Sequence, residues 1–172
     1  MNTLFIGYGN PDRQDDGVAW HVLSGIAKNL GLDVSSSWEE PLPSAPKADF
    51  RFELQLTPEM AGDLTAYDRV CFVDAHTGKI PENVQMVDVT PEYQTSPFTH
   101  HLTPEMLLSM CSSLYNKAPE AILISVRGYE FGFETKLSPF TASLVSEAVE
   151  RARGWFESIE ANHRFLKMSL VV

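Results

Sequence analysis

The residues with the clearest capacity for chemistry are a tandem carboxylate pair, Asp15-Asp16, a third carboxylate, Asp74, and a histidine pair, His100-His101. The first pair stands at the mouth of a helical pattern. Asp74 ends the apolar run Val70-Cys71-Phe72-Val73, and the histidines close a polar loop ahead of another helix. Two carboxylates and an imidazole make a mixed oxygen and nitrogen donor set, suited to a divalent transition metal with positions left open for water or substrate. The same trio could act as a general acid/base cluster. Plainer readings compete. Acidic residues at a helix start commonly cap it, so one of the pair can cap while the other does chemistry. An Asp that follows a buried parallel strand sits where functional side chains project. His76 and His101 compete with His100, whereas His21 and His163 fall on helix surfaces. Cys71 lies inside an apolar run, so its thiol is expected to be buried and inert. No serine shows a Gly-x-Ser-x-Gly elbow.

These groups need a scaffold that gathers them. Leu4-Phe5-Ile6 reads as a strand that breaks into Gly7-Tyr8-Gly9-Asn10-Pro11, a cluster of turn formers. The loop therefore sits at the carboxyl end of the first strand, where open α/β sheets bind ligands. Neither familiar glycine motif fits. A dinucleotide fingerprint needs a third glycine where Asp12 stands, and a P-loop needs Gly-Lys-Ser/Thr where Asp15-Asp16-Gly17 stand. Two carboxylates would repel a phosphate, so the loop suits a cation, a proton or a peptide.

A helix is expected from about Asp15 to Leu30, with Ala19, Leu23, Ile26 and Leu30 at helical spacing, Val22 beside them and Gly31 as its stop. Residues 35–48 are rich in Ser and Pro and read as a connector. Phe50 to Leu54 alternates like a strand, and Thr57-Pro58-Glu59 carries cap chemistry for a short helix. Val70–Val73 reads as a central parallel strand and 84–89 as a strand nearer an edge. Thr103-Pro104-Glu105 starts a helix with Leu107, Leu108, Cys111, Leu114 and Tyr115 on one face. Ala121–Val126 is a fifth strand. A loop with Gly128, Gly132 and several aromatics leads to Ser138-Pro139, which caps a last helix with Ala142, Val145, Val149 and Phe156 toward the sheet. The tail from about Glu157 carries no clear signal. Strands alternate with helices, so the expected fold is a single α/β domain over 1–172: a mostly parallel sheet with helices on both faces.

Bulk properties narrow the function. A chain of 172 residues is long enough for one real core. Its formal net charge of −10 excludes a nucleic-acid partner in the expectation and favours cationic ones. No apolar run reaches the roughly 18 residues of a membrane helix, and Met1 leads directly into a strand, leaving no room for a signal peptide. Two cysteines expected to be reduced and buried point to the cytoplasm.

Taken together, Gly7-Tyr8-Gly9-Asn10 followed by Asp15-Asp16-Gly17, the strand ending Val73-Asp74-Ala75, Thr99-His100 before an amphipathic helix, and Leu137-Ser138-Pro139 resemble the hydrogenase maturation endopeptidase family. The resemblance covers most of residues 3–152. It implies a cytoplasmic enzyme that trims a C-terminal extension from the large-subunit precursor of a nickel-iron hydrogenase after metal insertion, with the substrate-bound nickel as the recognition signal. It also implies a three-layer α/β/α fold with a twisted sheet of about five strands. Carried over by position, the metal-contacting residues are Asp16, Asp74 and His100, with Asp16 or Asp74 as the base. Nickel comes from the substrate, and other divalent transition metals can substitute in the isolated protein. His100 is preferred to His101 because its spacing to Leu102 and Leu107 matches the family's. The chain departs from the family at Gln55-Leu56-Thr57-Pro58, where a Gly-Thr-type loop is common, and in the insertion at 35–48; both bear on substrate selection. Asp16, where some members carry Glu, draws the site inward by roughly 1.5 Å.

Two other readings use the same residues. A receiver-like signalling domain also has an acidic pair and an Asp ending its third strand, but needs a lysine after the fifth strand, where Arg127-Gly128 stand. A non-catalytic metal-binding or chaperone-like protein would keep all three ligands and cut nothing.

Overall fold

A computed structural model describes residues 1–92 and 102–169, with side chains to residue 158. Five strands form one sheet: β1 (Thr3–Tyr8), β2 (Ala48–Glu53), β3 (Arg69–His76), β4 (Val84–Val89) and β5 (Glu120–Arg127). Their order is β2-β1-β3-β5-β4. The first four of these are parallel to their neighbours, and β4 runs antiparallel to β5 at the edge. Four helices cover the sheet: α1 (Val18–Asn29), α2 (Met60–Leu64), α3 (Pro104–Tyr115) and α4 (Pro139–Ser169).

Period-2 geometry divides the core into two halves. Phe5, Cys71, Val73, Ile122 and Ile124 face one side, where Val22, Leu23 and Ile26 of α1 meet Ala148, Val149 and Ala152 of α4. Leu4, Ile6, Val70 and Phe72 face the other, against Met60 and Leu64 of α2 and Leu107, Leu108 and Cys111 of α3. This is the three-layer α/β/α arrangement that the alternating sequence pattern requires. Both cysteines are free and buried, and burial pushes the Cys71 thiol far up, so it carries no nucleophilic role. Among the described residues, no helix is long and apolar enough to cross a membrane.

Local chemistry sets the boundaries. Gly31, at φ +80, takes the left-handed position after α1. Its N–H reaches the Lys28 carbonyl while that of Leu32 reaches Ala27, a Schellman closure. The hydroxyl of Thr103 accepts from the Met106 N–H at 3.3 Å, capping α3. The other Thr-Pro-Glu behaves differently. There the chain enters α2 through i→i+3 turns, and the Thr57 hydroxyl bonds the Glu59 carboxylate, so α2 begins at Met60 without a side-chain cap.

Three more expectations are corrected. The first helix does not run unbroken from Asp15. Residues Pro11–Gly17 form a separate kinked turn, because Gln14 adopts φ 54, and α1 begins at Val18. Leu114 and Tyr115 are exposed, since α3 ends there with Asn116 in the left-handed region. Ala142 is exposed, with Thr141 taking the inward position. Thr141 bonds the loop below it, which sets the rotation of α4. The tail is helical: α4 continues to Ser169.

Candidate active site

The cleft opens where the chain reverses its direction of crossover between β1 and β3, the usual position for ligands in an open α/β sheet. Gly7 pairs with Val73 across these strands, so Tyr8 and Asp74 are the next residues on adjacent strands and share a face. The kinked turn after β1 brings Asp16 to the same place. Asp16, Asp74, Tyr8, Gly9 and Arg13 line a cleft of about 770 Å³, closed on its other side by Leu54 to Pro58, Leu102 and Phe131. The Gln55-Leu56-Thr57-Pro58 segment thus forms a wall of the site. Leu54, read from sequence as the end of β2, is an exposed residue of this wall instead.

Asp16 is held by its own loop. The Asn10 N–H donates to Asp16 Oδ2 at 2.8 Å. Gly9 adopts φ +143, and a Cβ there would lie 2.0 Å from the Asp16 carbonyl oxygen. Only glycine permits that approach, which accounts for the second glycine of the opening motif.

Asp74 is the electrostatically unusual group. Its carboxyl is pushed up to about 7, chiefly by burial and further by the charge of Asp16. The Ala75 N–H, which donates to Asp74 Oδ1 at 2.7 Å, and the phenol of Tyr8 oppose that shift. Tyr8 in turn is raised well above its ordinary value by burial and by Asp74. A carboxyl poised near neutrality in a cleft can both take and give a proton. Tyr8 went unnoticed in the sequence, where it reads as one more turn-flanking residue. Its place as the last residue of β1, beside the last apolar pair of β3, is the signal that could have found it.

Asp15 has a different task from its neighbour. It is fully buried and caps no part of α1. Its Oδ1 accepts from the Ser138 N–H at 2.7 Å. Its Oδ2 lies 2.8 and 2.9 Å from the N–H groups of Tyr129 and Glu130, and 2.7 Å from each of the Ser138 and Thr141 hydroxyls. Burial would raise its carboxyl, but these bonds outweigh burial and hold it below the ordinary range. The tandem acids therefore point in two directions: Asp16 into the cleft, Asp15 into the loop that precedes α4.

His100 and His101 lie outside the described residues. His76 is buried at the end of β3, with Nδ1 accepting from the Gly78 N–H at 3.2 Å, and it does not line the cleft. Among the described residues no three metal-ligating side chains cluster; the structure brings together Asp16 and Asp74. The receiver-like reading fails on topology, because such domains run 2-1-3-4-5 in strand order, whereas β5 is here inserted between β3 and β4. Arg127, at the position of the required lysine, stacks over the Tyr129 ring at 4.7 Å.

No protein-family model matches the chain, and no curated protein sequence matches it. Solved structures do. The hydrogenase maturating endopeptidase HybD from E. coli is 16% identical, with a TM-score of 0.63 over 88% of this chain and 90% of that one. The [NiFe] hydrogenase maturation protease HycI from Thermococcus kodakarensis KOD1 is 21% identical, with a TM-score of 0.59 over 92% and 91%. An endopeptidase from Escherichia coli, solved in solution, is 17% identical, with a TM-score of 0.64 over 92% and 93%. The chain has the fold of the hydrogenase maturation endopeptidases along nearly its whole length.

Proposed function

We propose that this protein is an endopeptidase that removes the C-terminal extension of a nickel-iron hydrogenase large-subunit precursor once nickel has been inserted, and that it works in the cytoplasm. The observation that carries the reading is the convergence of Asp16 and Asp74 in one cleft, on the fold shared with the maturation proteases. The nickel arrives with the substrate. Asp16, Asp74 and His100 complete its coordination, and oxygen and imidazole donors suit a divalent transition ion. An incomplete donor set binds the ion only when the precursor supplies the remaining ligands, so the substrate's own metal centre licenses the cut.

Hydrolysis of a peptide bond needs a proton removed from the attacking water and one delivered to the departing amide nitrogen. Of the two cleft carboxyls, Asp74, pushed up to about 7 in the metal-free cleft, is the one suited to these transfers while it is not held by the ion. The Tyr8 phenol and the Ala75 N–H hold the carboxyl in place between them. The substrate's ion, held by Asp16, Asp74 and His100, would supply Lewis-acid chemistry to the scissile carbonyl or the water.

Mass spectrometry of a partner precursor, incubated nickel-loaded and nickel-free in parallel, tests the reading. Loss of a C-terminal fragment from the loaded sample alone is the expected result. No cleavage in either sample, with an authentic partner, would turn the assignment toward a metal-binding or chaperone-like protein that keeps the site without cutting.

A further inference from the structure

The loop between β5 and α4 takes no part in the chemistry above, yet it presents aromatic side chains to solvent. Phe133 is 95% exposed, Phe140, in the first turn of α4, 69%, and Tyr129 40%. Tyr129 and Phe140 pack together with ring centroids 5.5 Å apart, and Arg127 lies over the Tyr129 ring. Solvent-facing aromatics grouped in this way mark interaction surfaces.

The loop that carries them is fixed. The Gln14 and Asp15 N–H groups donate to the Glu134 and Glu130 carbonyls at 2.7 and 3.1 Å. The Gln14 side chain accepts from the Gly132 N–H at 3.2 Å and donates to Glu130 Oε2 at 3.0 Å. The buried carboxylate of Asp15 gathers Tyr129, Glu130, Ser138 and Thr141. Ordering cost is thus met on folding rather than on binding, as a preorganised recognition surface requires.

The loop also reaches the cleft. Phe131, in the same loop, lines the cleft beside Asp16. Its ring folds back over Gly128, where a Cβ would come within 2.5 Å of it. We propose that this aromatic loop is the docking edge for the folded body of the protein substrate, receiving an apolar patch of its surface while the tail to be cut enters the cleft past Phe131. The proposal rests on the endopeptidase reading and adds to it the part of the enzyme that selects a whole protein rather than a peptide. Phe131 and the exposed Phe133 sit two residues apart on one anchored loop, which ties the occupant to whatever fills the cleft. A second copy of this chain would instead bring another net charge of −10 to the contact.

The test is the Phe133→Ser/Phe140→Ser double variant, assayed against the nickel-loaded precursor for binding by titration calorimetry and for turnover by mass spectrometry. Both side chains are exposed, so the variant should unfold at the wild-type temperature. Its Kd and KM are expected to rise about tenfold or more, with kcat at saturation unchanged, as for truncation of aromatic anchors. Wild-type Kd and KM in the variant would overturn the docking proposal and leave the endopeptidase reading standing. Absence of cleavage by the wild-type protein would count against the endopeptidase reading, while the calorimetric difference would still decide the docking surface. A wild-type dimer in sedimentation equilibrium that the double variant loses would overturn the proposal in favour of self-association.

Discussion

Replacing Asp74 with asparagine should abolish turnover and yet stabilise the fold at neutral and alkaline pH. The reasoning starts from its carboxyl, raised from an ordinary value of 3.8 to about 7. A folded-state pKa above the unfolded one means that the native protein binds more protons between those values. Stability is then full below about pH 4 and declines as pH rises through 7. Three units correspond to roughly 4 kcal/mol at 1.36 kcal/mol per unit. Partial solvent access at the cleft reduces this to on the order of 2–3 kcal/mol. Asparagine keeps the shape and an oxygen for the Ala75 N–H but never ionises. The variant should therefore match wild type near pH 4 and exceed it by about 2–3 kcal/mol at pH 8. At this chain length that is a rise in Tm of roughly 4–12 °C. Urea unfolding at pH 4, 6 and 8 reads the difference, since effects of other titrating groups cancel between the two proteins. A variant as stable as wild type at pH 8, or less stable, would refute the buried, raised carboxyl. A stabilised variant that still processes precursor would refute Asp74 as the base.

Other consequences follow from the same geometry. Asp16→Asn should impair processing, because a metal-contacting group is lost, and should lower the Asp74 pKa by removing a like charge, read by carboxyl NMR titration of the metal-free protein; an unmoved Asp74 pKa would place the two groups out of electrostatic contact. Asp15→Ala leaves several buried donors without an acceptor and should cost about 3–5 kcal/mol in urea unfolding; a cost under about 1 kcal/mol would show that the loop is held otherwise. Gly9→Ala places a Cβ against the Asp16 carbonyl and should both destabilise by about 2–4 kcal/mol and lower kcat, because Asp16 must shift. His100→Ala should abolish processing with thermal unfolding nearly unchanged, whereas wild-type activity in that variant, with loss in His101→Ala or His76→Ala, would reassign the histidine.

The fold was legible because its signals are local. Continuous apolar runs at Val70–Val73 and Ala121–Val126 specify buried parallel strands, and helical spacing with capping residues specifies what lies between them. That Asp74 and the acidic pair would meet was legible for a related reason: the pair lies in the loop after β1 and Asp74 near the carboxyl end of β3, and crossover topology brings those strand ends together. Residue pattern alone does not separate the roles of Asp15 and Asp16, which only the family resemblance distinguishes, since adjacent acids at a helix mouth look alike. Their division depends on Gln14 at φ 54 kinking the turn and on a loop more than a hundred residues away supplying the donors for Asp15. Tyr8 stayed hidden for the same reason, its meaning resting on strand register rather than on its neighbours in the chain. The face of α4 was misjudged at Ala142 because the helix takes its rotation from Ser138 and Thr141 bonding Asp15, a tertiary constraint that periodicity does not contain. Composition and pattern set the layers and the strand ends on their own; burial, register and long-range hydrogen bonds decided which carboxyl is anchored, which faces the cleft, and which titrates near neutrality.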